Sequence, residues 1–257
     1  MKKTMITAHS GCEGTEQDSL ESVRRGIELR ADAVEMDVRL DSQGTLRISH
    51  NQEASQEGYN GRATLQQVFD LIKPAGVKIN LDVKEGVCIP LILELAERNG
   101  LSKERLILSG AVGIEQLLRN PDWGAQARIY LNLEEILKYV LFREISSPED
   151  FCLLVERPWK FIKAHVTDPA EYVPWIVYIC RALPVAGLNA PQWILSDGVL
   201  AAMERERIPL SVWTVDDIAE QKRFLQAPPP CLENLTTRNV AAAIRIRGEQ
   251  ASAQTEQ

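Results

Sequence analysis

The sequence predicts a single closed (β/α)8 TIM barrel. Short apolar strands alternate with helix-period segments about eight times along the chain, a pattern that calls for a parallel sheet closed on itself. The length, 257 residues, suits one barrel around one large core. Polar residues also gather where the strands end, on the rim where such barrels carry their sites.

Met5 to Ala8 forms the first strand and stops at His9-Ser10-Gly11. The following loop enters a helix capped at Asp18 or Ser19, with Leu20, Val23 and Ile27 on one face. The stretch ADAVEMDVRLDSQGTLRISHN, Ala31 to Asn51, reads as a strand, a turn at Ser42-Gln43-Gly44 and a second strand ending at His50. Alternate strand residues face one way, so Glu35 and Asp37 share a face with Cα atoms about 7 Å apart. After a polar loop at 51–63, Thr64 and Gln67 form a capping box ahead of Leu65, Val68, Leu71 and Ile72.

Val77 to Val83 is a further strand, and Asp82 and Lys84 again sit two apart on one face. A helix near Ile89 to Arg98, a strand at Leu106 to Ser109, a helix at Ile114 to Arg119 and a strand at Arg128 to Leu131 continue the alternation. It resumes with strand Ala186 to Asn189, helix Asp197 to Glu206 and strand Leu210 to Val215. A helix after Asp216, strand Leu235 to Thr237 and helix Val240 to Ile246 complete it. Residues 132–183 exceed the roughly 30 residues a βαβ unit needs, so they read as an enlarged connection bordering the site, with an aromatic cluster of Phe151, Trp159 and Phe161. The barrel thus spans 1–247, and the polar tail 248–257 is expected to be disordered.

Hydrophobic residues make up 45% and charged residues 25%, as in an ordinary globular domain, and the net charge is −7. With no basic run or aromatic–basic interleaving, a nucleic-acid partner is excluded. Five scattered cysteines, Cys12, Cys88, Cys152, Cys180 and Cys231, form neither a disulfide framework nor a zinc knuckle and fit free thiols in a reducing compartment. The N-terminus enters a strand instead of a signal-peptide apolar region, and no apolar run reaches membrane-spanning length. The expected location is the cytoplasm. The oligomeric state is not legible.

Two carboxylates on a buried strand are costly unless a positive charge lies between them. Glu35 and Asp37 therefore read as oxygen ligands of a hard divalent cation, with His50 brought in beside it. His9, Glu35, Asp37, His50, Asp82, Lys84 and Trp213 all end strands, and two of the three histidines fall in this set. His165 lies in the enlarged connection and reads as structural; Cys12 reads as a loop thiol, and Arg39 as a partner of Asp37 or a phosphate contact.

These residues resemble the glycerophosphodiester phosphodiesterase family from the first strand to the last. The family's His-Arg-Gly strand end is similar to His9-Ser10-Gly11, and its Pro-Glu-Asn-Thr helix start to Gln17-Asp18-Ser19. Its Gly-Ala-Asp-Gly-Val-Glu-Leu-Asp-Val run resembles Arg30 to Val38, and its glycine turn and His-Asp pair resemble Gly44 and His50-Asn51. Asp82-Val83-Lys84, Val212-Trp213-Thr214-Val215 and Thr236-Thr237-Arg238 resemble the family's Glu-Ile-Lys, Val-Trp-Thr-Val and Thr-Asp-Arg.

The resemblance implies His9 and His50 as general acid and base, and one Mg²⁺ or Ca²⁺ on Glu35, Asp37 and Asp82. It places Lys84 on a phosphate oxygen and Trp213 against the substrate's carbon face, and Ser10 and Arg39 complete the candidate substrate contacts. The chain departs from the family at Ser10 in place of arginine, Gln17-Asp18 in place of Glu-Asn, Asn51 in place of aspartate, and the shorter Asp82. The implied reaction is metal-dependent hydrolysis of a small-molecule glycerophosphodiester to glycerol 3-phosphate and an alcohol. Two alternatives share the site: a phospholipase-D-like enzyme or lyase releasing a cyclic phosphate, and a barrel that binds a phosphate ligand without turning it over.

Overall fold

The computed structural model describes residues 3–51 and 62–255. Nine strands are present among them: β1 Met5–Ala8, β2 Ala33–Leu40, β3 Leu46–Ile48, β4 Lys78–Val83, β5 Leu106–Gly110, β6 Arg128–Asn132, β7 Gly187–Pro191, β8 Leu210–Trp213 and β9 Leu232–Thr237. Eight run parallel in the order β1-β9-β8-β7-β6-β5-β4-β2, and pairing of β1 with β2 closes the ring. The predicted TIM barrel is therefore the observed fold. β3 lies outside the ring, antiparallel to the far end of β2.

The helices α1 Leu20–Glu28, α2 Leu65–Ala75, α3 Cys88–Arg98, α4 Ile114–Arg119 and α5 Trp123–Gln126 fall in the first half. Between β6 and β7 lie α6 Leu133–Leu141, α7 Pro148–Glu156, α8 Pro158–His165 and α9 Val173–Ala182, which make up the expected enlarged connection. The helices α10 Asp197–Arg205, α11 Ile218–Gln226 and α12 Val240–Thr255 finish the chain. No helix among the described residues is long and apolar enough to cross a membrane.

The Thr64–Gln67 capping box starts α2, and Leu65, Val68, Phe69 and Ile72 are buried at helical spacing along it. Each such side chain contributes about 1.5–3 kcal/mol by leaving water. α12 runs to Thr255, so the segment expected to be a disordered tail is helical through that residue; its Ala, Gln and Glu residues all favour helix. Most of the loop expected at 51–63 lies outside the described residues. Phe151, Trp159 and Phe161 do not form one cluster. Phe161 is buried and stacks on His165, Phe151 packs edge-on to exposed Phe142, and Trp159 meets Trp193 and Trp213.

The barrel sorts its residues by strand alternation. Val34, Met36 and Val38 join the hydrophobic core, while Glu35 and Asp37 line the cavity inside the ring. The lumen is unusually polar, because barrel interiors are ordinarily filled by Val, Ile and Leu. Thr7 donates to Asn234, Asn234 to Ser211, Ser109 to Asn80, and Asn189 to Asn132, at 2.6–3.1 Å. Every one of these buried polar groups thereby gains a partner, which removes the desolvation cost of placing it there.

Candidate active site

A cavity of about 660 Å³ opens at the C-terminal ends of the strands. Its lining includes His9, Glu35, Asp37, His50, Asp82, Lys84 and Trp213, which the sequence singled out from seven separate positions. Two other candidates, Ser10 and Arg39, lie outside the lining.

The acids meet through sheet register. β2 and β4 pair so that Asp37 lies directly beside Asp82, with Glu35 two residues back on the same face. Ligand oxygens of Glu35, Asp37 and Asp82 all lie within 4.8 Å of one another. Lys84 Nζ stands 2.7 Å from both Asp37 Oδ1 and Asp82 Oδ2. Burial alone would lower the Lys84 pKa, but Asp82 and Asp37 outweigh it and hold the ammonium above its usual range. Burial first, and then the charge of Asp82, push Glu35 up to about 8. Asp37 is pushed up in the same way, by burial and then by Glu35.

Once all three carboxylates are ionised, one ammonium leaves two negative charges unbalanced, the charge of one divalent cation. An all-carboxylate donor set suits a hard cation, and oxygens on one Ca²⁺ at about 2.3–2.6 Å are spaced up to about 5 Å apart. The residues present therefore fit such an ion. Gly110, at the end of β5, completes the pocket for Asp82: its φ is +82°, and a Cβ there would run into the Asp82 carboxylate.

His9 follows Ala8 at the end of β1, on the lumen side shared with Thr7. Its Nδ1–H donates to the Ser10 carbonyl at 2.8 Å, so the lone pair sits on Nε2. Burial pulls its pKa below the usual imidazole value. Glu35 Oε2 lies 3.7 Å from Nδ1 and accepts the Ser10 N–H at 3.0 Å. His50 is exposed at the cavity rim just past β3, with Nδ1 3.3 Å from Asn51 Oδ1.

Asp18, which the sequence offers as a helix cap, has a different role. Ser19 is the cap of α1, accepting from Ser22 N–H, while Asp18 turns inward with φ +52° and is almost fully buried. Its Oδ1 accepts from Ser10 Oγ at 3.0 Å and its Oδ2 from His50 N–H at 2.8 Å. Its own N–H donates to Ser10 Oγ at 2.6 Å. One carboxylate thus ties together the loops that carry both histidines. Ser10, a candidate substrate contact, has its hydroxyl engaged in this tie. Asp18→Ala strands a buried hydroxyl and an amide, so it is expected to cost about 1–3 kcal/mol per lost group. Urea unfolding tests this, and an unchanged midpoint would show that the ties do not hold the loops.

Arg39 also departs from expectation. Val38 is the last β2 residue paired to β4; beyond it the strand follows the β3 hairpin away from the lumen. Arg39 pairs with Glu85 and donates to the His50 carbonyl, so it braces the hairpin instead of meeting Asp37. His165 stacks on Phe161 and bonds its carbonyl, as a structural histidine. All five cysteines are free thiols, and Cys12 is buried.

Two residues of the lining end in buried polar atoms with no partner among the described residues: Trp213 Nε1 and Glu134 Oε2. Trp213 was a candidate; Glu134 was not.

No family model matches the chain. A glycerophosphodiester phosphodiesterase of Caldanaerobacter subterraneus subsp. tengcongensis is 24% identical over 242 residues, 88% of this chain and 91% of that protein. The solved glycerophosphodiester phosphodiesterase of Parabacteroides distasonis superposes with a TM-score of 0.68 at 17% identity, covering 98% of this chain and all of that one. A phosphodiesterase of Oleispira antarctica, solved with the product sn-glycerol-3-phosphate, gives a TM-score of 0.64 at 15% identity over 95% of this chain and 96% of that one. In sequence and in fold, the chain resembles glycerophosphodiester phosphodiesterases over nearly its whole length.

Proposed function

We propose that the protein hydrolyses glycerophosphodiesters to glycerol 3-phosphate and an alcohol, using one divalent cation, Ca²⁺ or Mg²⁺, held by Glu35, Asp37 and Asp82. The observation that carries this reading is the convergence of that acid cluster with His9 and His50 on one cavity. It accords with the phosphodiesterases the chain resembles, one of them solved with glycerol 3-phosphate.

The cation, when bound, draws negative charge from the phosphoryl oxygens. His9 acts as base: its Nε2 lone pair is free, and burial keeps the ring neutral. His50, open to solvent at the rim, acts as acid and protonates the departing alkoxide. Lys84 spends two of its three hydrogens on Asp37 and Asp82 and offers the third to a phosphate oxygen. Trp213 lays its ring along the glycerol carbons and gives its buried N–H to a glycerol oxygen. Five free thiols fit a reducing compartment, and we place the activity in the cytoplasm.

Phosphorus NMR of glycerophosphocholine and glycerophosphoethanolamine incubated with the protein tests the reading. Glycerol 3-phosphate is expected to accumulate with Ca²⁺ or Mg²⁺, to stop with chelator and to resume on restoring the cation. A cyclic phosphate as end product would replace hydrolysis by intramolecular transfer. No turnover of any diester would leave a phosphate-binding barrel.

A further inference from the structure

We infer that the enlarged connection after β6 selects diesters whose alcohol leaving group carries a primary ammonium, bound by Glu134. The inference rests on the diesterase reading above and names the substrate class of that site.

Glu134 stands in the first turn of α6, and its Oε1 accepts from Asn132 Nδ2 at 2.8 Å. The residue is half-buried and lines the cavity, and its Oε2 is buried with no donor among the described residues. A buried carboxylate oxygen left without a donor carries its full desolvation cost. Burial accordingly pushes the Glu134 acid up to about 7. The missing donor is one that a ligand in this cavity would bring.

The surroundings specify a cation. Glu135 and Glu156 line the same cavity, and Lys138 neutralises Glu135 at 2.6 Å. Glu134 and Glu156 remain, a negative wall opposed to any anionic leaving group. Trp159, from α8, adds an aromatic face to that wall, and edge contacts with Trp193 at 5.4 Å and Trp213 at 6.2 Å fix its ring. Aromatic faces attract ammonium groups. A neutral polyol would offer Oε2 a hydrogen but leave the charge unbalanced. A quaternary ammonium would meet the ring but bring no N–H. A primary ammonium supplies charge and hydrogen together, and its alcohol departs as an amino alcohol.

The test compares kcat/KM for glycerophosphoethanolamine, glycerophosphocholine and glycerophosphoglycerol on the full chain with Ca²⁺ or Mg²⁺. The ethanolamine ester is expected to exceed the glycerol ester by about 10-fold or more, the range of one charge-assisted hydrogen bond. Glu134→Gln, which presents an N–H₂ to the ammonium, is expected to erase that ratio, and Trp159→Leu to shrink it. Equal wild-type values, or a ratio unchanged in Glu134→Gln, overturn the inference; the wild-type ratio decides even if the variants do not fold. If no diester is turned over, the diesterase reading has failed on its own. Calorimetric titration with glycerophosphoethanolamine and glycerophosphoglycerol then decides: tighter binding of the former, lost in Glu134→Gln, supports the inference, and equal binding overturns it.

Discussion

Replacing His9 with alanine is expected to lower kcat/KM by about 10²–10⁴-fold, the usual contribution of a positioned general base. The ring is held by its own Nδ1–H to the Ser10 carbonyl, and the substitution removes the Nε2 lone pair while leaving every ligand of the acid cluster in the chain. The pH profile carries a second signature. Burial lowers the His9 pKa, so its neutral form persists to more acid pH than a free imidazole. The acid limb of kcat/KM should therefore fall below about 6.5, the ordinary histidine value. In His9→Ala that limb should vanish. Wild-type activity in this variant would remove His9 from the reaction, whatever role His50 retained.

Cation binding is expected to raise the melting temperature more at pH 8 than at pH 5. Glu35 has its folded-state pKa raised from 4.5 to about 8, and Asp37 is raised with it. Below the unfolded-state values both states hold the protons, and folding has its full stability. As the pH climbs towards 8, the unfolded chain releases protons that the folded chain retains, and each such group loses about 1.4 kcal/mol per pH unit. Lys84 stays protonated across this window and does not alter the sign. A bound divalent cation stabilises the ionised carboxylates and so offsets the loss where it is greatest. Glu35→Gln and Asp37→Asn should accordingly be more stable than wild type in chelator at pH 8, yet show little shift on adding Ca²⁺ or Mg²⁺. Differential scanning fluorimetry across this range checks both halves. A cation shift independent of pH, or retained in Glu35→Gln, would put the ion elsewhere.

The fold was legible because its signal is periodic. Strand–helix alternation repeats along the chain, and within β2 the two-residue period put Glu35 and Asp37 on one face. Asp82 was legible as a strand-end acid, but its place beside Asp37 depends on the register of β4 against β2, which no local pattern specifies. The same period misled at Arg39, because β2 leaves the ring after Val38 and parity no longer means the lumen. Asp18 resembled a helix cap; only the left-handed turn before α1 sends its carboxylate inward, and an aspartate there gives no glycine-like warning. Glu134 lay in the enlarged connection at 132–183, where the sequence pattern singled out no site residue. Its burial follows from the packing of the enlarged connection over the barrel mouth, a matter of tertiary placement alone.

Gly110 sets a constraint on how this site can change over evolutionary time. The room occupied by the Asp82 carboxylate exists because position 110 carries no side chain, so the two residues are joined although they lie on different strands. Any side chain gained at 110 would collide with the acid at 82. Neither position is free to drift alone. Substitutions at 82 and 110 are therefore expected to be non-additive.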